Sequence, residues 1–139
     1  MTDIVVTAAY VGLVDPLKSD VRSYIAAEAI TKGQAVYILA AGTVGVADAN
    51  AGGKQQFRGI ALNGGGIGQA IDVVHEGDVY GFTLSGVNAD VHVYLSDTAG
   101  ALGDAAGTMT VRAGQVECLS DKDATKILRV FTQWWADWA

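Results

Sequence analysis

The sequence predicts an all-β fold, a small barrel or sandwich with little helix, and three observations support this class. Turn-forming residues recur at close intervals, and the runs between them have the length of short strands. The chain has 18 glycines and 1 proline, which is typical of a chain that turns often between strands. Residues 91, 93 and 95 are apolar and alternate with His92 and Tyr94, as in a strand with one buried face. The sequence therefore indicates a β domain.

A series of apolar runs is predicted to form the strands. The runs are residues 35–39, 44–47, 57–62, 70–74, 79–84, 91–95, 109–112, 116–119 and 126–131. Corners are expected between the runs, including one at residues 75–78 and one at 113–114. The run at 36–39 is apolar throughout, so it is predicted to be buried on both faces. The best helix candidate is one or two turns within residues 49–56, where a Gly-Gly pair disfavours helix.

The loop at residues 63–68 reads Asn-Gly-Gly-Gly-Ile-Gly and lies between two of these runs. An anion-binding turn is the functional alternative, but the dinucleotide fingerprint needs a third glycine where Gln69 or Ile71 stands. A phosphate loop needs a lysine, and none lies between Lys54 and Lys122. The run that follows is also too short for a helix whose N-terminus would bind phosphate. A hairpin connection between two strands is therefore predicted.

Composition and charge exclude several classes of protein. The 139 residues can bury the core of one domain, and 50% of them are hydrophobic. A net charge of −6 argues against a nucleic-acid partner, because a protein that binds nucleic acid needs a basic surface. No apolar run is long enough to span a bilayer, so no membrane partner is expected, and no secretory leader is recognised. Cys118 is the single cysteine and is expected to be a small buried hydrophobe in a strand.

The beginning of the chain is apolar on both faces. Residues 1–20 are predicted to form an extended N-terminal arm, and residues 21–139 a single β domain with a tryptophan-rich tail. A β-prone segment such as residues 2–14 must pair with a strand, either in its own fold or in a neighbouring protein. Fully extended, this segment would reach about 40 Å, enough to touch another subunit.

All three tryptophans lie in the last six residues, at Trp134, Trp135 and Trp138. Each indole can bury about 200 Å², which is worth roughly 5 kcal/mol before ordering costs. So much aromatic area predicts that the tail docks, either on the protein's own fold or at a subunit or partner interface.

The residues that usually carry chemistry do not form a recognisable set. His75 and His92 are the only histidines, and metal ligation normally needs three or four convergent ligands. The carboxylates fall mostly in turns, where they cap backbone amides. No Gly-x-Ser-x-Gly motif frames a nucleophile. We therefore predict a protein that is not an enzyme, with no catalytic residues, cofactor or metal.

Four segments, in their order and spacing, carry a resemblance to a known family. They are residues 33–39 (GQAVYIL), 57–63 (FRGIALN), 68–73 (GQAIDV) and 93–100 (VYLSDTAG), the last followed by Leu102. Over roughly residues 29–119 the chain resembles the small capsid cement, or head-decoration, proteins of tailed bacteriophages. The resemblance implies a barrel-like, β-clip or tulip-type domain that forms homotrimers.

The resemblance also implies a location, partners and contact residues. Trimers would sit on the outer surface of the virion capsid, at three-fold and quasi-three-fold positions, after synthesis in the host cytoplasm. They would bridge neighbouring major capsid protein subunits and hold the expanded shell against the pressure of packaged DNA. The N-terminal arm would add to a capsid strand, a role that falls to Ile4, Val5, Val6 and Tyr10.

Two other functions are compatible with the residues. A carbohydrate-binding or adhesin-like β module, such as a head fibre or another virion surface protein, could use the three tryptophans as a stacking platform. A small hydrolase could use a carboxylate pair, although the sequence gives no reason to choose two particular carboxylates. We expect a cement protein to show no affinity for sugars, which separates it from the first alternative.

Overall fold

The computed structural model describes residues 3–50, 52–84, 87–119 and 122–132. Within these ranges the chain is nearly all β and forms a curled antiparallel sheet, so the predicted all-β class is confirmed. Two single-turn 3₁₀ helices lie at Ala8–Tyr10 and Pro16–Lys18. The strands are β1 (Gly12–Leu13), β2 (Asp20–Ile25), β3 (Ala35–Ile38), β4 (Val44–Val46), β5 (Phe57–Ala61), β6 (Ala70–Tyr80), β7 (His92–Leu95), β8 (Leu102–Gly103), β9 (Arg112–Leu119) and β10 (Lys122–Phe131).

Strand β6 is the centre of the sheet. The strand order is β4-β3-β5-β6-β10-β9-β7-β8, and β1 and β2 also pair with β6. The first half of β6 pairs with β2 and β5, and its second half pairs with β1 and β10. The 11 residues of β6 therefore join two halves of the molecule.

The first half curls around a small apolar core. Ala26, directly after β2, forms a bridge with Val44 in β4, so the chain that leaves β2 meets the far end of the sheet. This curl encloses a cluster of buried side chains: Ala26, Ile30, Val36, Val44, Ala61, Ile71 and Val73. Val36 and Tyr37 are buried, as predicted for the apolar run at 36–39, but Ile38 and Leu39 are only half-buried.

The second half is closed by the beginning of the chain. Asp3 bridges Gly103 in β8, and Val6 bridges Phe82, which follows β6. The Ile4 amide donates to the Leu102 carbonyl at 2.8 Å, while residues 5 and 7 bond to residues 83 and 81 on the other side. Residues 3–7 of the predicted arm therefore lie in the seam between β8 and the residues that follow β6, while Gly12–Leu13 of the arm form β1 and pair with β6.

Three sequence predictions about local structure have a clear outcome. The loop at 63–68 connects antiparallel β5 and β6, so the predicted hairpin connection is confirmed. The predicted corner at residues 75–78 is wrong, because β6 continues through it and buries His75 and Val79 on the way. The corner predicted at 113–114 is also wrong, because β9 runs through Gly114, whose missing side chain lets β10 approach.

The helix predicted within residues 49–56 is also wrong. The described residues of this stretch form turns and extended chain before β5 begins at Phe57. Gly52 and Gly53 account for this, since glycine loses the most backbone entropy in a helix and Gly53 adopts φ +86°. The Asp48 side chain caps the turn instead, accepting from the Asn50 amide at 2.9 Å.

Because residues 3–7 close the second half of the sheet, loss of a buried side chain among them is expected to destabilise the fold. Ile4 is 9% exposed and packs in the larger core, whereas its neighbour Val5 is 65% exposed. We expect I4A to lower the free energy of unfolding by about 2–4 kcal/mol, because it leaves a cavity in that core. The matched change V5A is expected to stay within about 0.5 kcal/mol. Urea denaturation measures both, and an equal effect of the two variants would contradict this placement of residues 3–7.

Candidate functional site

The first candidate surface consists of exposed side chains of the N-terminal segment. Val5, Val6 and Tyr10 are 65%, 37% and 74% exposed, and we call these three residues the N-terminal patch. Ile4, the fourth predicted contact residue, is turned into this protein's own core. Side chains alternate along a paired strand, which explains why Ile4 is buried and Val5 is exposed. Three of the four predicted residues are thus available to a partner.

Backbone pairing holds the N-terminal patch in place. The Thr7 amide donates to the Gly81 carbonyl at 2.8 Å, and the Thr83 amide donates to the Val5 carbonyl at 2.8 Å. The Tyr10 amide donates to the Thr7 carbonyl at 2.9 Å, which closes the 3₁₀ turn at Ala8–Tyr10. A partner that contacts Val5 and Tyr10 therefore meets apolar side chains on an ordered backbone, which lowers the entropic cost of binding.

A second apolar surface follows strand β2. Leu17, Val21, Ile25 and Ile67 are 96%, 37%, 48% and 77% exposed. Among the described residues, β2 pairs as a strand with β6 alone, so its other edge has no strand neighbour in that part of the chain. Exposed edges of this kind can accept a strand from another chain. Sequence reasoning missed this surface because its predicted strand runs begin at residue 35 and do not include β2.

The third candidate surface is an open depression on the outer face of β7, β9 and β10, with a volume of about 290 Å³. We call it the cationic depression, and its lining residues are His92, Arg112, Gly114, Gln115, Arg129 and Phe131. Strand register produces it, because Gln115 lies opposite both His92 in β7 and Arg129 in β10. A side chain at Gly114 would place its Cβ 2.0 Å from the Arg129 carbonyl oxygen, so glycine at this position lets β9 and β10 pack closely.

The two arginines of the cationic depression differ in their electrostatic surroundings. Arg129 lies 3.7 Å from Glu76 and 3.8 Å from Asp78, so two carboxylates share its charge. Burial raises the pKa of the Asp78 carboxyl, while Arg129 lowers it and Glu117 raises it. Arg112 is exposed, and among the described residues no carboxylate lies within 4.0 Å of its guanidinium. Arg112 is therefore the cation of this surface that can form an ion pair with an acidic group of another molecule.

His75 is a structural residue rather than a surface ligand. It is 1% exposed, and its Nε2 lies 3.0 Å from the Tyr24 hydroxyl. Burial lowers the pKa of His75, because the charged imidazolium loses its hydration. A backbone hydrogen bond with Arg58 and the charge of Asp20 raise that pKa, while the charges of Arg22 and Arg58 lower it. The lowered pKa favours the neutral imidazole in the folded protein at neutral pH.

This lowered pKa predicts acid sensitivity. The unfolded chain takes up a proton near the ordinary value of 6.5, before the folded chain does, so the free energy of unfolding falls as pH drops below that value. We expect the urea midpoint to fall between about pH 7.5 and pH 5.5, and H75Q to show a flatter dependence. An unchanged slope in H75Q would contradict the assignment.

Other predicted features have these positions in the structure. Trp134, Trp135 and Trp138 lie outside the described residues. Cys118 lies in β9 and is half-buried. Within the described ranges, no three histidine, cysteine, aspartate or glutamate side chains converge as a metal site. No helix of the described chain is long and apolar enough to cross a membrane.

Comparisons of the chain with protein-family models, with curated proteins and with solved structures found no match. Function is therefore inferred from the surfaces of the molecule and from the resemblance in the sequence. The resemblance implies contact residues in the N-terminal segment, and three of them, the N-terminal patch, are exposed.

Proposed function

We propose that this protein decorates the outside of a tailed-bacteriophage head as homotrimers. In this role it bridges neighbouring major capsid protein subunits and stabilises the expanded shell. The N-terminal patch carries the proposal, because Val5 and Tyr10 are 65% and 74% exposed on a segment whose backbone is fixed. Apolar side chains held out to solvent in this way are typical of a contact surface.

The pairing of residues 3–7 changes the expected mode of contact. Strand addition needs a free backbone edge, but residues 3–5 and 5–7 already bond to the chain's own residues on opposite sides. The contact with a capsid subunit is therefore made by side chains of the N-terminal patch. Burying an exposed tyrosine and valine contributes roughly 2–4 kcal/mol before ordering costs.

Trimer formation converts this modest contact into tight attachment. Three copies of the N-terminal patch bind one three-fold position together, so the second and third contacts form at high effective concentration. The net charge of −6 supports the proposal, since it disfavours binding to nucleic acid released from broken heads. The role requires no metal, cofactor or titrating catalytic group.

Binding to heads tests the proposal. Purified protein is mixed with expanded and unexpanded heads of the phage that encodes the chain, and the heads are sedimented. We expect saturable binding to expanded heads and weak binding to unexpanded heads, because expansion creates the decorated surface. Equal binding to both forms, or binding to neither, would contradict the proposed role.

A further inference from the structure

We propose that the edge of strand β2 that faces away from β6 pairs with the same edge of a second copy of this chain, in an antiparallel register centred on Ser23. The inference goes beyond the proposed function, because a contact of one surface with itself has two-fold symmetry and is separate from the three-fold assembly of a trimer. It joins a copy in one trimer to a copy in a neighbouring trimer.

Hydrogen bonds directly after β2 show which of its backbone groups face away from β6. The Ala26 amide donates to the Gln69 carbonyl at 2.9 Å, on the β6 side. The next amide, that of Ala27, donates to the Val44 carbonyl at 2.8 Å, on the opposite side. This alternation extends back through residues 21–25, whose register with β6 is continuous. Among the described residues, the amides and carbonyls without a strand neighbour therefore belong to every second residue of β2: Val21, Ser23 and Ile25.

Strand β2 lacks the usual protection of an edge. Five of its six residues are exposed, including the apolar Val21 and Ile25. Edge strands are commonly protected by lysine, proline or a bulge. Residues 21–25 contain neither lysine nor proline, and the irregularity in the pairing with β6 lies before them, between Asp20 and Val21. These five residues therefore form a regular, partly apolar edge.

The positions of the outward-facing groups limit the possible registers. Two copies exchange backbone hydrogen bonds only if outward-facing residues lie opposite each other, so the two-fold axis passes through a residue of β2 and not between two residues. An axis at Val21 or Tyr24 overlaps only about three residues of each strand, whereas an axis at Arg22 or Ser23 overlaps about five. An axis at Arg22 sets two guanidinium groups opposite each other, which is destabilising. The Ser23 register is therefore favoured.

In the Ser23 register the side chains of the two copies are complementary. Val21 lies opposite Ile25 of the second copy, and symmetry repeats this apolar contact on the other side of the axis. Arg22 lies opposite Tyr24 instead of a second cation. The outward-facing residues exchange about six backbone hydrogen bonds. A contact of this size is smaller than a permanent dimer needs, so we expect weak association in solution that strengthens when trimers carry several copies together.

Disulfide trapping tests this register. Facing residues of a hydrogen-bonded antiparallel pair have Cα atoms about 5.5 Å apart, within the range that a disulfide spans. Each variant carries C118S, so the introduced cysteine is the only thiol of the chain. Under mild oxidation at about 0.1 mM we expect S23C to form a covalent dimer at least about tenfold faster than V21C or I25C alone. A mixture of V21C and I25C chains is expected to cross-link at a rate close to that of S23C.

Two further variants and the mixed chains separate this contact from random collision. V21K replaces the apolar contact by a charge and is expected to slow trapping of S23C at least about tenfold. V5K makes the same change at another exposed valine and is expected to leave trapping unchanged. The mixed chains keep Ser23, whose hydroxyl donates to Asp72 at 2.5 Å, so their result does not depend on the loss of that bond.

Equal trapping of the three single-cysteine variants, or absence of trapping in both S23C and the mixed chains, would overturn the pairing. Trapping of S23C that is unaffected by V21K would overturn it as well. The assay contains no heads, so its outcome is separate from failure of capsid binding.

Discussion

Replacement of Gly59 by alanine is expected to unfold the domain, or to lower its free energy of unfolding by about 4 kcal/mol or more. A Cβ at this position would lie 2.0 Å from the Val74 carbonyl oxygen and 2.8 Å from the Val73 side chain. Backbone of the central strand β6 cannot move aside without breaking its pairing with β2 and β10. Gly59 also adopts φ +147°, a conformation that alanine rarely takes.

Gly52 supplies the matched control for this change. A Cβ built on Gly52 meets no heavy atom within 4 Å, and its φ is not positive. G52A is therefore expected to alter the free energy of unfolding by less than about 0.5 kcal/mol. Circular dichroism and urea denaturation of the two variants measure the difference. A G59A protein as stable as G52A would contradict the packing of β5 against β6.

The double substitution V5D/Y10D is expected to abolish binding to expanded heads, with a loss greater than about 100-fold. Both side chains are exposed, so the fold is expected to remain intact. Each aspartate places a charge where apolar contact is proposed, and the desolvation of that charge opposes binding. In the proposed trimer the loss per copy is multiplied, because every proposed contact at a three-fold position is weakened together.

Leu17 supplies the control for this second experiment, since it is 96% exposed and lies outside the N-terminal patch. L17D is expected to bind heads like the wild type. Sedimentation with expanded heads measures binding, and urea midpoints confirm that both variants are folded. Wild-type binding by V5D/Y10D, or equal losses in V5D/Y10D and L17D, would show that the N-terminal patch is not the specific contact.

Much of the fold follows from local signals in the sequence. The run at 57–62 and the loop at 63–68 are bounded by turn residues, and they form β5 and its connection to β6. Alternation at 91–95 correctly places Val93 and Leu95 inside and His92 outside. These features depend on side-chain period and turn chemistry within one stretch, which is the information that a single sequence contains.

Features that depend on distant contacts could not be predicted in the same way. The continuation of β6 through residues 75–78 depends on burial of His75 beside Tyr24, 51 residues away in the chain. Closure of the seam by residues 3–7 depends on β8 and on residues 81–83. The sequence gives the apolar character of residues 3–7 and the turn-like composition of residues 75–78, but not the strands that these segments meet.

The candidate surfaces likewise combine features that local sequence predicts with features that depend on distant contacts. The apolar N-terminal segment is visible in the sequence, but the burial of Ile4 and the exposure of Val5 follow from the pairing partner. The cationic depression joins residues from three strands, and its one local signal is the exposure of His92 implied by alternation. Register between β7, β9 and β10 is required to bring Arg112, Gln115 and Arg129 together.

Electron cryomicroscopy of expanded heads, with and without the added protein, tests the proposed decoration of the shell. We expect added density on the outer surface at three-fold and quasi-three-fold positions, with three copies at each position. We also expect Val5 and Tyr10 to face the major capsid protein in every copy. Heads that gain no density, or copies whose N-terminal patch points away from the shell, would overturn the proposed function.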